Sequence, residues 1–126
     1  LAYLGFGGWG FQVRDALHPR DLLPLLRKQM APGAAAPSRV VNLGGGVANA
    51  MSLAELSMWC RERFGSHEVA AIPENRRFDI PWLVMDATLA GDIWDWRPQT
   101  PLLAILDEIA RHAEQHPHWL EVSGLP

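Results

Sequence analysis

The 126-residue chain has one cysteine, Cys60, one tyrosine, Tyr3, and little charge of either sign in excess: 11 Lys and Arg stand against 14 Asp and Glu, a net charge of -3 at pH 7. A single thiol cannot close an internal disulfide, so a disulfide-stapled scaffold is excluded and a reducing compartment, the cytoplasm, is expected. The faintly acidic balance excludes the basic footprint that nucleic acid or an anionic membrane surface calls for. No apolar run approaches the ~20 residues of a bilayer span. No basic-then-apolar leader opens the sequence. The opening Leu1-Ala-Tyr-Leu4, without Met, reads as the interior of a strand, so the chain is expected to start within a longer protein.

What is present suits a packed domain. The apolar fraction of 48% is ordinary for a globular protein. The length fits one domain over residues 1–126, or a piece of a larger one. Strands are expected at Ala2 to Phe6, at Val40 to Leu43 and at Glu68 to Ile72. Helices are expected from an Asp21 cap to about Met30, from the Ser52-Leu-Ala-Glu55 capping box to Phe64 with Gly65 as the stop, from Asp86 to Trp94, and from Thr100-Pro101 to Gln115. Leu22, Leu23, Leu25 and Leu26 supply the expected buried face of the first helix. Pro32 to Pro37 is a Pro/Gly/Ala linker, expected to be a flexible surface loop over 31–38. This alternation of strands and helices predicts an α/β fold.

The densest chemistry lies in Gln12-Val-Arg14-Asp15-Ala-Leu-His18-Pro-Arg-Asp21-Leu, just after a glycine-rich stretch. A planar guanidinium with polar neighbours can give a phosphate two parallel charge-assisted hydrogen bonds. The plain alternative for Arg14 is a surface ion pair with Asp15 or Asp21, worth ~0–1 kcal/mol. A second arginine site, Arg76-Arg77 in Asn75-Arg-Arg-Phe-Asp79, falls on a loop after a strand, and the two sites together suit a diphosphate clamp. The plain alternative there is a solvated charge cluster.

Other motifs read as structural. Gly5-Phe-Gly-Gly-Trp-Gly10 matches G-x-G-x-x-G, but Phe11-Gln-Val-Arg-Asp is no helix entry and no acid ends Val40-Val-Asn-Leu43, so a turn is preferred to a dinucleotide site. His18 reads as a residue that bonds backbone amides at a helix start. His112, His116 and His118 read as an exposed helix end, since Pro117 separates the last from the other two. Cys60 lies on an apolar helix face and reads as core. No catalytic residue, metal ligand or cofactor-binding residue is assigned within the chain.

Taken in order, these segments resemble one family across nearly the whole chain. Gly5-Phe-Gly-Gly, then Gln12-Val-Arg14-Asp15, Leu17-His18 and Asp21-Leu22, are similar to the G-x-G-x-Q-x-R-D-x-x-H-x-x-D-L signature of the extended short-chain dehydrogenase/reductases, the nucleotide-sugar epimerases and dehydratases. Asn42-Leu-Gly-Gly-Gly46 with Asn49-Ala-Met-Ser52-Leu, and Arg76-Arg-Phe-Asp79 with Asp86 and Trp96-Arg-Pro98, resemble later segments of that family. Phe78 and Asp95 stand where its pattern has glycine. The wording of Tyr3 to Gly8, Gln12 to Asp15 and Leu17 to Pro19 is most similar to the CDP-paratose (CDP-tyvelose) 2-epimerase branch.

The resemblance implies the substrate-binding C-terminal part of a Rossmann-type enzyme, without its N-terminal dinucleotide-binding half. It implies Arg14 and Arg76 on a substrate diphosphate, supported by Gln12, Asp15 and Arg77. NAD would belong to the full-length parent and not to this chain. The family's Tyr-x-x-x-Lys pair is not found here, since no Lys lies four residues after Tyr3. A nucleotide-sugar substrate and a homo-oligomer are the partners implied. A stand-alone, non-catalytic binding module and a sibling dehydratase or reductase remain open beside the epimerase reading.

Overall fold

The computed structural model describes residues 1–33 and 40–122, so most of the 31–38 linker lies outside the described residues. It is a small mixed α/β domain with short strands. A parallel pair joins β1 (Ala2–Leu4) to β4 (Ala70–Ile72), with Tyr3 opposite Ala71. A separate three-stranded sheet has the order β3 (Ala50–Ser52), β2 (Val13–Asp15), β5 (Trp82–Leu83). In it β2 runs antiparallel to β3 and parallel to β5, which sets Arg14 between Met51 and Leu83.

Five helices complete the described residues: α1 (Leu22–Gln29), α2 (Leu53–Phe64), α3 (Thr88–Trp94), α4 (Leu102–Gln115) and α5 (Trp119–Val122). The capping box at α2 forms as its spacing predicts: Ser52 Oγ accepts the Glu55 amide, and Glu55 reaches back to the Ser52 amide. Gly65 ends α2 at φ 95°, a backbone region that only glycine enters without strain. Asp95 ends α3 in a different positive-φ region, the left-handed helical one, at φ 46° and ψ 50°. Lys28 Nζ donates to the Trp94 and Asp95 carbonyls there, supplying donors to a helix end that lacks them.

Several expectations are corrected. Val40 to Leu43 forms no strand; Val41 and Leu43 turn half-buried side chains onto the cluster of Leu25, Ala90 and Trp96 instead. Only Leu25 of the α1 leucines is buried, at 2% exposure, while Leu23 and Leu26 are half exposed because their face has no layer above it. Asp21 holds the N-cap position of α1 but gives no cap; its carboxylate is drawn off to Gln99 and Thr100. Thr100 is spent on that contact, and α4 starts one residue later than expected, after Pro101. Its cap comes from afar, as buried Asn49 accepts the Leu102 amide through Oδ1 and donates to the Thr100 carbonyl. Trp96 packs with Leu25 and Ala90, its indole N–H on the Asp21 carbonyl. Cys60 is only partly buried, on a helix with no buried residue.

The core is small for the chain. The whole chain exposes 9266 Å², where a compact monomer of about 14 kDa exposes roughly 6,700 Å². All three residues of β4 are exposed, although parallel strands ordinarily lie covered on both faces.

Candidate functional site

Along β2 the side chains alternate between the two faces of its sheet, so Gln12 and Arg14 share one face while Val13 and Asp15 share the other. Gln12 and Arg14 look onto a small cleft of about 120 Å³, lined also by Ala2, Leu4 and Leu53 and by Arg76 and Asp79. The last two come from the segment between β4 and β5. That segment is held to the first turn of the chain, where Asn75 Oδ1 accepts the Phe6 amide at 2.7 Å. Gly5 permits this approach: a Cβ there would sit 3.3 Å from Asp79 Oδ2, at a φ of +76°.

The two arginines of the cleft differ. Arg14 donates from Nη1 to the Val13 carbonyl at 2.7 Å and places Nη2 3.5 Å from Asp79 Oδ1, a loose contact with 41% of the Arg14 side chain still exposed. Asp79 is 12% exposed and also accepts the Ile80 amide. The Arg76 guanidinium has no ion-pair or hydrogen-bond partner among the described residues. Gln12 is 4% exposed. Its Nε2 donates to the Leu4 carbonyl and faces Asp79 Oδ2 at 3.5 Å, which orients the amide; its Oε1 is buried, with no hydrogen-bond partner among the described residues. The arrangement offers an anion two guanidinium groups in a recess with apolar walls.

The structure thus brings Gln12, Arg14 and Arg76 together. Asp15 and Arg77 lie outside that lining. Asp15 is on the opposite face, where it accepts the amides of Gly46 at 3.0 Å and Met85 at 3.3 Å and so ties two loops to β2. The Arg77 guanidinium sits over the neighbouring Phe78 ring, 5.2 Å from its centroid. Asp79 was not among the residues singled out for the site, although its place in Arg-Arg-Phe-Asp is the signal that marks it. His18 does cap the turn before α1: Nδ1 accepts the Arg20 amide at 3.0 Å, and Nε2 faces Glu108 at 3.4 Å.

A larger cavity, about 560 Å³, lies apart from these residues, against Gly44 to Gly46, Trp82, Met85 and Trp96. Among the described residues no group of three or more His, Cys, Asp or Glu is placed to hold a metal. Likewise no helix among them is long and apolar enough to cross a membrane. The Gly5 to Gly10 stretch is followed by a strand and not by a helix. Its Phe6–Gly8 segment is a single 3-10 turn that leads to β2, whereas a pyrophosphate needs a helix N-terminus directly after the glycines. No family model matches the chain, and comparison with curated proteins and with solved structures gives no match.

Proposed function

We propose that the chain is the nucleotide-sugar-binding, C-terminal part of an NAD-dependent nucleotide-sugar epimerase of the extended short-chain dehydrogenase type, acting in the cytoplasm on a CDP-linked deoxysugar. Arg14 and Arg76 hold the substrate diphosphate. NAD and the acid-base residues belong to a Rossmann half outside this chain. One observation carries the reading: residues far apart in sequence, each singled out by its motif, line the same cleft, and the Arg76 guanidinium there has no partner among the described residues. The excess of exposed surface fits a part that packs against more protein, whether the other half or a second copy.

The test is calorimetric titration of CDP into the chain and its variants. Losing one charged hydrogen-bonded contact costs ~1.5–3 kcal/mol, so Arg14→Ala and Arg76→Ala should each weaken binding roughly ten- to a hundred-fold. The double variant should be less than additive, because both groups share one ligand. Arg111→Ala, on α4, is the control. Binding by either cleft variant as tight as that of Arg111→Ala removes the clamp. Tight binding of NAD by this chain would contradict the assignment of the cofactor to another part.

A further inference from the structure

The three-stranded sheet ends on β5, with no strand beyond it among the described residues. Its pairing with β2 decides which backbone groups face outward. Trp82 stands opposite Val13 in a parallel register, and the Val13 amide donates to the Pro81 carbonyl. In such a ladder the backbone groups of successive residues alternate sides, so the Trp82 N–H and C=O point away from β2. Neither has a hydrogen-bond partner among the described residues. The outer edge of β5 thus presents one donor and one acceptor, both on Trp82. An edge of this kind is a template for another strand.

The side chains beside that edge are apolar. The strand alternation carried back two residues from Val13 and Trp82 sets Phe11 and Ile80 on the face those two share. Phe11 is 66% exposed, Ile80 48% and Trp82 58%, and Phe78, at the turn leading into the strand, is 85% exposed. At ~150–250 Å² for a whole aromatic side chain, these four residues leave roughly 400–600 Å² of apolar surface in water. One side of a standard dimer buries about 800 Å², some 60% of it apolar. The patch matches that need.

The features also select a second copy as the occupant. A two-fold contact sets a patch against itself, so its rim must carry both signs of charge. Exposed Glu74 and Arg77 supply one of each, and Arg77 lies over the Phe78 ring of the patch. The net charge of -3 is too small to hold two copies apart. In an antiparallel pair two facing residues exchange both of their bonds. Trp82 facing its own counterpart therefore satisfies the whole outward-facing set of β5 at once.

We infer that β5 pairs antiparallel with β5 of a second copy, Trp82 beside Trp82, joining two three-stranded sheets into one and covering Phe11, Phe78 and Ile80. The interface does not depend on which ligand the Arg14–Arg76 cleft takes. Sedimentation equilibrium of the chain should show a monomer–dimer equilibrium. Phe11→Lys and Ile80→Lys should each weaken the dimer at least roughly a hundredfold, because the two-fold buries the new charge twice. Met58→Lys, at a 56% exposed position on α2, should leave it unchanged. In a Cys60→Ser background, mild oxidation should join Trp82→Cys chains into a covalent dimer, since facing Cα atoms ~5.5 Å apart are within disulfide reach. Met58→Cys chains should not be joined.

A monomer at every concentration overturns the inference. So does a dimer that keeps its strength in both lysine variants, or one that Met58→Lys weakens as much. Cross-linking of Trp82→Cys no better than that of Met58→Cys overturns the two-fold at Trp82. If the lysine variants fail to fold, hydrogen exchange of the wild type decides: the Trp82 amide should exchange more slowly as concentration rises, and an unchanged rate overturns the pairing.

Discussion

Asp21 and Thr100 hold each other across most of the chain: the Asp21 carboxylate accepts the Thr100 hydroxyl at 2.7 Å and the Thr100 amide at 2.9 Å. The Gln99 amide adds a third bond at 2.9 Å. Together they anchor the entry to α4 against the turn before α1.

This contact makes stability depend on acid. Burial works to raise the Asp21 pKa, but the bonds from Thr100 and Gln99, with His18 nearby, outweigh it and leave the group below its ordinary value of 3.8. A carboxylate lowered in the folded state contributes stability that is present above 3.8 and is lost as pH falls through the folded value. Asp21→Ala should cost at least about 1–3 kcal/mol at neutral pH, because it leaves buried donors unmet. It should also flatten the acid limb of stability, measured by urea melts from pH 2 to 7.

Neighbouring glycines should respond in opposite degree. A Cβ on Gly45 would lie 2.0 Å from the Ala16 carbonyl oxygen, and that backbone is held by the Ala16 amide bond to Asn49. At Gly46 the space is open and only the φ of +67° resists a side chain. Gly46→Ala should cost ~1–3 kcal/mol, because φ 67° with ψ -171° is a region that is essentially glycine's alone. Gly45→Ala should cost ~3 kcal/mol or more, since neither partner can yield. Denaturant midpoints of the two variants give the comparison.

Asp95 offers a gain. It occupies a left-handed position at φ 46°, and its side chain is fully exposed at 3.8 Å from Lys28 Nζ, a contact of little worth. Asp95→Gly should raise stability by ~0.5–1 kcal/mol, because the Lys28 bonds to the Trp94 and Asp95 carbonyls survive the change. Thermal melts of the paired variants check this.

The α2 cap can be read by its carboxyl. Bonds from the Ser52 amide and hydroxyl hold Glu55 below its ordinary pKa. In Ser52→Ala the NMR titration of Glu55 should move upward, toward that value. Loss of the cap should cost ~0.5–2 kcal/mol. An unchanged titration would mean that the reciprocal bonds do not persist in solution.

Self-association is the last expectation. The chain exposes 9266 Å², and Trp82, Ile80 and Leu83 at the β5 edge are 58%, 48% and 44% exposed. An uncovered strand edge with apolar side chains invites pairing. Sedimentation at increasing concentration should show species above the monomer. A monodisperse monomer at all concentrations would count against it.

Features set by near neighbours were legible before the fold was known. The Ser52–Glu55 box, the Gly65 stop and the His18 bond to Arg20 each span five residues or fewer. Features set by distant partners were not. Val13–Asp15 has no pattern of a strand and becomes one only between Ala50–Ser52 and Trp82–Leu83. Val40 to Leu43 has that pattern but packs on helices. Asp21 looks like a cap and spends its carboxylate on Thr100. At the candidate site, Arg14 and Arg76 were marked by their motifs, but only the fold brings them to one cleft. The orientation of Gln12 and the partner of Arg77 depend on Leu4, Asp79 and Phe78, which no spacing rule assigns.

The β1–β4 pair also sets a timetable. Its register joins Ala2 to Ala70, so β1 leaves the ribosome long before its partner exists. At ~5–20 residues per second the wait is roughly three to fourteen seconds. In that interval α1 and α2 are complete in sequence and can form from local contacts, while β1 still lacks β4. The pairing of β1 is thus an event that follows the making of both helices, never one that precedes it.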